Sequence, residues 1–124
     1  MAARKLTVAG ALVAGLAVAF GAFGAHALGD TLTESAKATY ATADRYQLAH
    51  GIALVVIGVL VDLKRSRPWP GWLMLAGIVV FCGSLYALSL TGIRAFGAVA
   101  PAGGSLLIAS WFGLGFEIAR TTRR

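Results

Sequence analysis

The sequence predicts an all-α membrane protein, a four-helix transmembrane bundle with its N and C termini cytoplasmic. Three observations predict it. Hydrophobic residues make up 58% of the 124-residue chain and charged residues 13%, which leaves a soluble fold of this size more apolar surface than it could bury. The apolar residues are gathered into four long runs. The basic residues gather beside the ends of those runs, where they orient a membrane protein, so the net charge of +6 is read as topology and no nucleic-acid partner is expected.

Span one runs from Leu6 to Leu28 without a charge; as a helix rising about 1.5 Å per residue it reaches roughly 34 Å, enough to cross a hydrocarbon core of about 30 Å. Span two covers residues 46–63 and follows the polar group Asp44, Arg45, Tyr46 and Gln47, so its helix is expected to begin earlier, outside the membrane core. Span three covers residues 72–90 and span four residues 95–118, with Trp69 and Trp72 placed as an aromatic belt. The four spans make one domain, residues 1–124.

Arg4, Lys5, Lys64, Arg65, Arg67, Arg120, Arg123 and Arg124 fall on one side of these spans, and only Lys37, Arg45 and Arg94 on the other. That bias orients both termini to the cytoplasm. Arg4 and Lys5, an apolar stretch and Ala25-His26-Ala27 also resemble a signal peptide with its cleavage site. The stretch exceeds the ~7 to 15 apolar residues of an h-region, and span one carries packing features that a discarded segment does not need, so its retention is expected. Cys82 is the lone cysteine and sits in an apolar run, which excludes a disulfide framework and a Cys-based metal site.

Lipid supplies little hydrophobic drive between helices, so small residues that let backbones approach matter most. Gly10, Ala14, Ala17, Gly21, Gly24 and Leu28 form such a stripe on span one, and Leu73, Gly77, Val80, Ser84, Ala87 and Thr91 one on span three. In span four, Pro101 with Gly103-Gly104 predicts a kink, read first as a packing feature. In the outer loop Thr31-Leu32-Thr33-Glu34 fits a capping box. Leu32, Ala36, Tyr40 and Ala43 then share a face, predicting a short amphipathic helix on the outer membrane surface that bends into span two.

His26 and His50 lead the candidates for function, placed at similar depth near the outer surface if the antiparallel spans align at their ends. Asp44, Gln47 and His50 recur one turn apart and make a polar strip. The cluster of His26, Asp44, Gln47 and His50 supports two readings: a proton path or ligand site, and, preferred, hydrogen bonds that hold the helices in register. Two histidines without a third converging ligand make a weak metal site, so no metal and no cofactor is expected. Asp62 and Glu117 are read as solvated partners of Arg65 and Arg120. Ser84, Tyr86, Ser89, Ser105 and Ser110 are read as bonding back to helical carbonyls, and no catalytic residue or enzymatic activity is expected.

The segments GAFGAHAL at 21–28, RYQLAH at 45–50, GSLYALSLTG at 83–92 and PAGG at 101–104 resemble, in order and spacing, the small bacterial inner-membrane protein family of the YgdD type. The resemblance covers nearly the whole chain. It implies four spans in the plasma membrane, retention of span one and no established biochemical activity. By match to its motifs, Gly21, Gly24, His26, Tyr46, Gln47, His50, Gly83, Ser84, Tyr86, Pro101 and Gly104 are the characteristic positions. Ala102 departs from the larger apolar residue more often found there.

The function expected is that of a non-enzymatic packing or accessory component of the plasma membrane, in contact with the lipid bilayer and with a membrane-protein partner or further copies of itself. The alternative is a small transporter or channel with an outer vestibule near His26, Gln47 and His50. A membrane enzyme acting on lipid or quinone ranks third.

Overall fold

The computed structural model describes residues 1–122 and consists of four helices: α1 (Ala2–Ala27), α2 (Glu34–Asp62), α3 (Trp69–Thr91) and α4 (Arg94–Thr122). Arg123 and Arg124, counted above toward the topology, lie outside the described residues. Each helix is long and apolar enough to cross a membrane. Neighbours in sequence pack antiparallel, α1 on α2, α2 on α3 and α3 on α4, so the two ends of the chain leave the same end of the bundle. The two middle helices carry most of the buried residues, while α1 and α4 flank them.

Glycine determines how closely α1 and α2 approach. A methyl group added at Gly51 would lie 2.7 Å from the backbone nitrogen of Ala14, and one added at Gly10 would lie 2.6 Å from the backbone nitrogen of Val55. Gly58 stands in the same way against Thr7 and the Ala3 carbonyl. Further along, Gly21 faces Asp44 and Gly24 faces the Tyr40 ring. The small stripe of α1 is thus its contact face with α2, and these pairs fix one antiparallel register. Between α3 and α4, Gly77 seats Leu107, Gly103 lies against the Phe81 backbone and Gly113 receives the Trp69 indole. The apolar centre is filled by Leu6, Leu54, Ile57, Met74, Ile78 and Leu107.

The first part of α2 corrects the reading of the outer loop. That segment is helical and amphipathic, but it continues into the span as one 29-residue helix, and its apolar side buries Tyr40 and Ala43 in the bundle instead of lying on the membrane surface. Thr33, in extended conformation, caps the helix by accepting the Ala36 N–H at 3.1 Å. Thr31 instead donates to the Leu28 carbonyl at 3.2 Å, helping to close α1, so Glu34 is the first helical residue and not the far member of a capping box. The turn after α2 places Lys64 at φ 60°, with Arg65 N–H donating to the Leu60 carbonyl at 2.8 Å. Gly92 ends α3 in the left-handed region at φ 73°, a conformation glycine adopts without a Cβ penalty.

Helix α4 runs through Pro101 without interruption. Ser105 donates back to the Pro101 carbonyl at 2.9 Å, and the glycine beyond it provides the close approach to α3. Packing therefore accounts for the Pro-Ala-Gly-Gly segment.

Replacing Gly51 with Leu should force α1 away from α2 and lower stability by roughly 1–3 kcal/mol. Gly15→Ala on the same helix pair, where an added methyl meets nothing within 4 Å, should not lower stability. Thermal unfolding of both variants in one mild detergent checks the pair.

Candidate functional site

Side chains that are costly to bury in lipid concentrate where α1, α2 and α3 meet toward the end of the bundle away from the chain termini. Gln47 is 5% exposed and uses both ends of its amide: Nε2 donates to the Val13 carbonyl of α1 at 3.0 Å, and Oε1 accepts the Tyr86 hydroxyl of α3 at 2.7 Å. One α2 side chain thereby ties together three helices. The Tyr40 hydroxyl donates to the Phe20 carbonyl at 2.5 Å. The Tyr86 ring makes edge contacts with Phe20 and Tyr40, at centroid distances of 5.5 and 5.1 Å. Asp44 Oδ1 lies 3.3 Å from the same Tyr86 hydroxyl. A hydroxyl has one proton, and the shorter distance gives most of it to Gln47.

One turn deeper, His50 joins α2 to α4. Its Nδ1 lies 2.8 Å from the Tyr46 carbonyl, and its Nε2 accepts the Trp111 indole N–H at 3.0 Å. An indole can only donate, so Nε2 carries the lone pair and Nδ1 the proton, which is the neutral imidazole with both nitrogens engaged. The Tyr46 ring stacks on the imidazole at 5.7 Å and also meets Phe81.

His26 does not join this group. It is exposed near the end of α1, while His50 lies level with Ala14 through the Ala14–Gly51 contact. The twelve residues between Ala14 and His26 put the two histidines about 18 Å apart along the bundle at 1.5 Å per residue. Aligning the spans at their ends brought them together on paper; α2 begins at Glu34, well ahead of Tyr46, which carries His50 toward the middle of the helix.

The motif positions sort largely into packing. Gly21 and Gly24 admit Asp44 and Tyr40, and Gly104 lies beside the Phe81 ring. Ser84 donates to the Phe81 carbonyl at 2.9 Å, and Ser89 and Ser110 bond back within their own helices in the same way. Gly83 and Pro101 are exposed. Tyr86 departs from the reading given to it with the serines, because its hydroxyl reaches across to α2.

A second polar centre lies at the other end, where Glu117 is buried and not the solvated partner of Arg120 that the sequence predicts. Glu117 is 2% exposed and accepts the Arg120 guanidinium at 2.8 Å, the Trp69 indole N–H at 3.0 Å and the Arg67 backbone N–H at 3.2 Å. It anchors the α2–α3 loop to α4, a contact separated by some fifty residues and signalled in the sequence only by an acidic residue within an apolar run. Asp62 is exposed and, among the described residues, forms no ion pair with Arg65. Every buried side-chain nitrogen or oxygen among the described residues has a hydrogen-bond partner, and none of them form a group of three His, Cys, Asp or Glu able to hold a metal.

Residues 20–104, which carry Asp44, Gln47, His50 and Tyr86, match the model of a family described as "Protein of unknown function (DUF423)". The chain belongs to the DUF423 family. Relatives matched over most of their length are named as membrane proteins. A UPF0382 membrane protein of Staphylococcus epidermidis is 45% identical over 109 residues, covering 87% of this chain and 89% of the relative. UPF0382 membrane protein YwdK of Bacillus subtilis is 43% identical over 111 residues, covering 87% and 90%. No solved structure matches. The DUF423 match begins after Val13 and ends before Trp111 and Glu117, so it contains Phe20, Tyr40, Gln47 and Tyr86 but neither the Val13 carbonyl that Gln47 reaches nor the α4 side of the His50 bond. With the four helices above, these relatives make the chain a multi-pass membrane protein of a family without an assigned activity.

Because Gln47 and Tyr86 bond to each other between helices, their losses should not add. A double-mutant cycle of Gln47→Leu and Tyr86→Phe, read by unfolding in detergent, should give a coupling of about 1 kcal/mol. The same cycle run with Ser105→Ala in place of Tyr86→Phe should give none.

Proposed function

We propose that this protein is a non-enzymatic accessory component of the plasma membrane that associates with other membrane proteins or with further copies of itself. The observation that carries the reading is the state of the candidate residues. Both ends of Gln47, Nε2 of His50 and the hydroxyls of Tyr40 and Tyr86 are engaged with neighbouring helices, and Nδ1 of His50 with the Tyr46 carbonyl of its own helix; cross-helix bonds of this kind are how polar groups hold a membrane bundle in register. The outward faces of the flanking helices supply the association surface: α1 exposes Leu12, Leu16 and Val18, and α4 exposes Ile108, Phe112 and Phe116.

The basic residues at the chain ends and in the α2–α3 loop support cytoplasmic termini in a bacterial inner membrane. The segments GAFGAHAL, RYQLAH and GSLYALSLTG support the finer kinship with the YgdD type. A transporter would have to pass Asp44 instead of a pair of histidines, since His26 and His50 lie at different depths.

Purification of the tagged protein from its native membrane in mild detergent, with mass spectrometry of the eluate, should yield a stoichiometric membrane-protein partner or a homo-oligomer. A monomer with no partner, together with solute flux lost in an Asp44 variant that still folds, would replace this reading with the transporter. A fluorescent protein fused to the C terminus should fold and fluoresce, and alkaline phosphatase fused there should be inactive; the reverse would overturn the orientation.

A further inference from the structure

Where α1 and α2 separate toward their outer ends, they leave an open groove of about 550 Å³. Gly21 and Gly24 form its floor, and Leu28, Leu32 and Leu48 its apolar walls. Three charged side chains line it: Asp44, Lys37 and Arg45. The 18 residues from Asp44 to Asp62 on α2 span about 27 Å at 1.5 Å per residue, close to a hydrocarbon thickness of about 30 Å. With Asp62 at one boundary of the lipid, Asp44 stands at the other, where headgroups begin.

Asp44 is the least satisfied polar side chain of the network. Its Oδ1 receives only the longer, 3.3 Å share of the Tyr86 hydroxyl, whose proton goes mainly to Gln47. Its Oδ2 has no hydrogen-bond partner among the described residues and lies over Gly21, 2.7 Å from where a methyl group there would sit. A carboxylate so placed lacks a cation. At the rim the complement is reversed: Arg45 has no ion-pair or hydrogen-bond partner among the described residues, and Lys37 holds only the exposed Glu34, at 3.2 Å, a pair of the kind that contributes little.

We propose that this groove binds a phospholipid whose headgroup carries a primary ammonium, with the ammonium on Asp44, the phosphate on Arg45, and an acyl chain running toward the membrane centre past Leu48. Leu28, Leu32 and Lys37 line the part of the groove beyond Asp44, around the headgroup. A headgroup with both charges a few ångströms apart matches the adjacent Asp44 and Arg45, and N–H donors suit the open Oδ2. The site lies apart from the outward faces proposed for protein association, so either proposal can fail alone.

Native mass spectrometry of the full chain tests it, with equimolar phosphatidylethanolamine, phosphatidylcholine and phosphatidylglycerol of the same acyl chains added to the detergent-purified protein. The wild type should retain the ethanolamine lipid in roughly tenfold excess over the other two. Asp44→Asn keeps an oxygen for Tyr86 and should abolish that preference. Arg45→Gln, at an exposed position, should lower retention of the ethanolamine and glycerol lipids alike. Equal retention of the three lipids by the wild type, an unchanged preference in Asp44→Asn, or a lipid-free dimer that excludes all three would overturn the proposal. If Asp44→Asn does not fold, the wild-type selectivity and Arg45→Gln decide it.

Discussion

The contact of α1 with α2 at backbone distance is the interaction on which the rest of this protein depends. Helices in lipid gain little from burying leucine against leucine, so their affinity rests on how closely two backbones can lie and which polar groups that closeness brings into reach. Gly10, Gly51 and Gly58 remove the side chains that would hold the pair apart. The register that follows sets the Val13 carbonyl before Gln47, the Phe20 carbonyl before Tyr40 and Gly21 before Asp44. A slip of one turn between these helices would break each of these contacts together.

On that pair the remaining helices are attached by two polar centres separated by an apolar middle. Toward the end away from the chain termini, Tyr86 brings α3 to α2, and Trp111 brings α4 to His50. Toward the end that holds the termini, Glu117 of α4 gathers the Trp69 indole and the loop backbone at Arg67. Between them Leu54, Ile57, Met74 and Leu107 pack without polar atoms. Polar groups in lipid have few alternatives to a protein partner, so clusters of this kind specify orientation and register while dispersion in the middle supplies attraction. Asp44 is the exception, a charged group at the edge of the outer centre with an oxygen open to the groove, and for that reason it carries the inference about a ligand.

Much of the fold was legible because its signals are local. Uncharged runs mark the spans, and the small residues of α1 repeat at helical spacing, so the stripe of Gly10, Ala14, Ala17, Gly21 and Gly24 could be named before its partner was known. Serines returning to their own helical carbonyls are equally local. What escaped depends on tertiary register. A polar segment from Glu34 to Arg45 reads as a loop or a surface helix until Tyr40 and Ala43 are seen to face α1 and α3. Missing that start misplaced His50 relative to His26. Glu117 looked like half of an exposed pair because Arg120 is one turn away, whereas Trp69 and Arg67 are distant in sequence. Trp111 and Tyr86 look like ordinary apolar-run aromatics, and only the fold shows which helix each one holds.

The register of α1 against α2 is tested most directly by cross-linking in the membrane with a short bifunctional thiol reagent, with Cys82→Ser removing the native thiol. Val8 of α1 and Val59 of α2 are both exposed and line one pocket, so paired Val8→Cys and Val59→Cys substitutions should cross-link readily, and paired His26→Cys and His50→Cys substitutions should not. Cross-linking of the histidine-position pair, with none between positions 8 and 59, would show that the helices meet in a different register and would remove the basis for the polar centre around Gln47 as described.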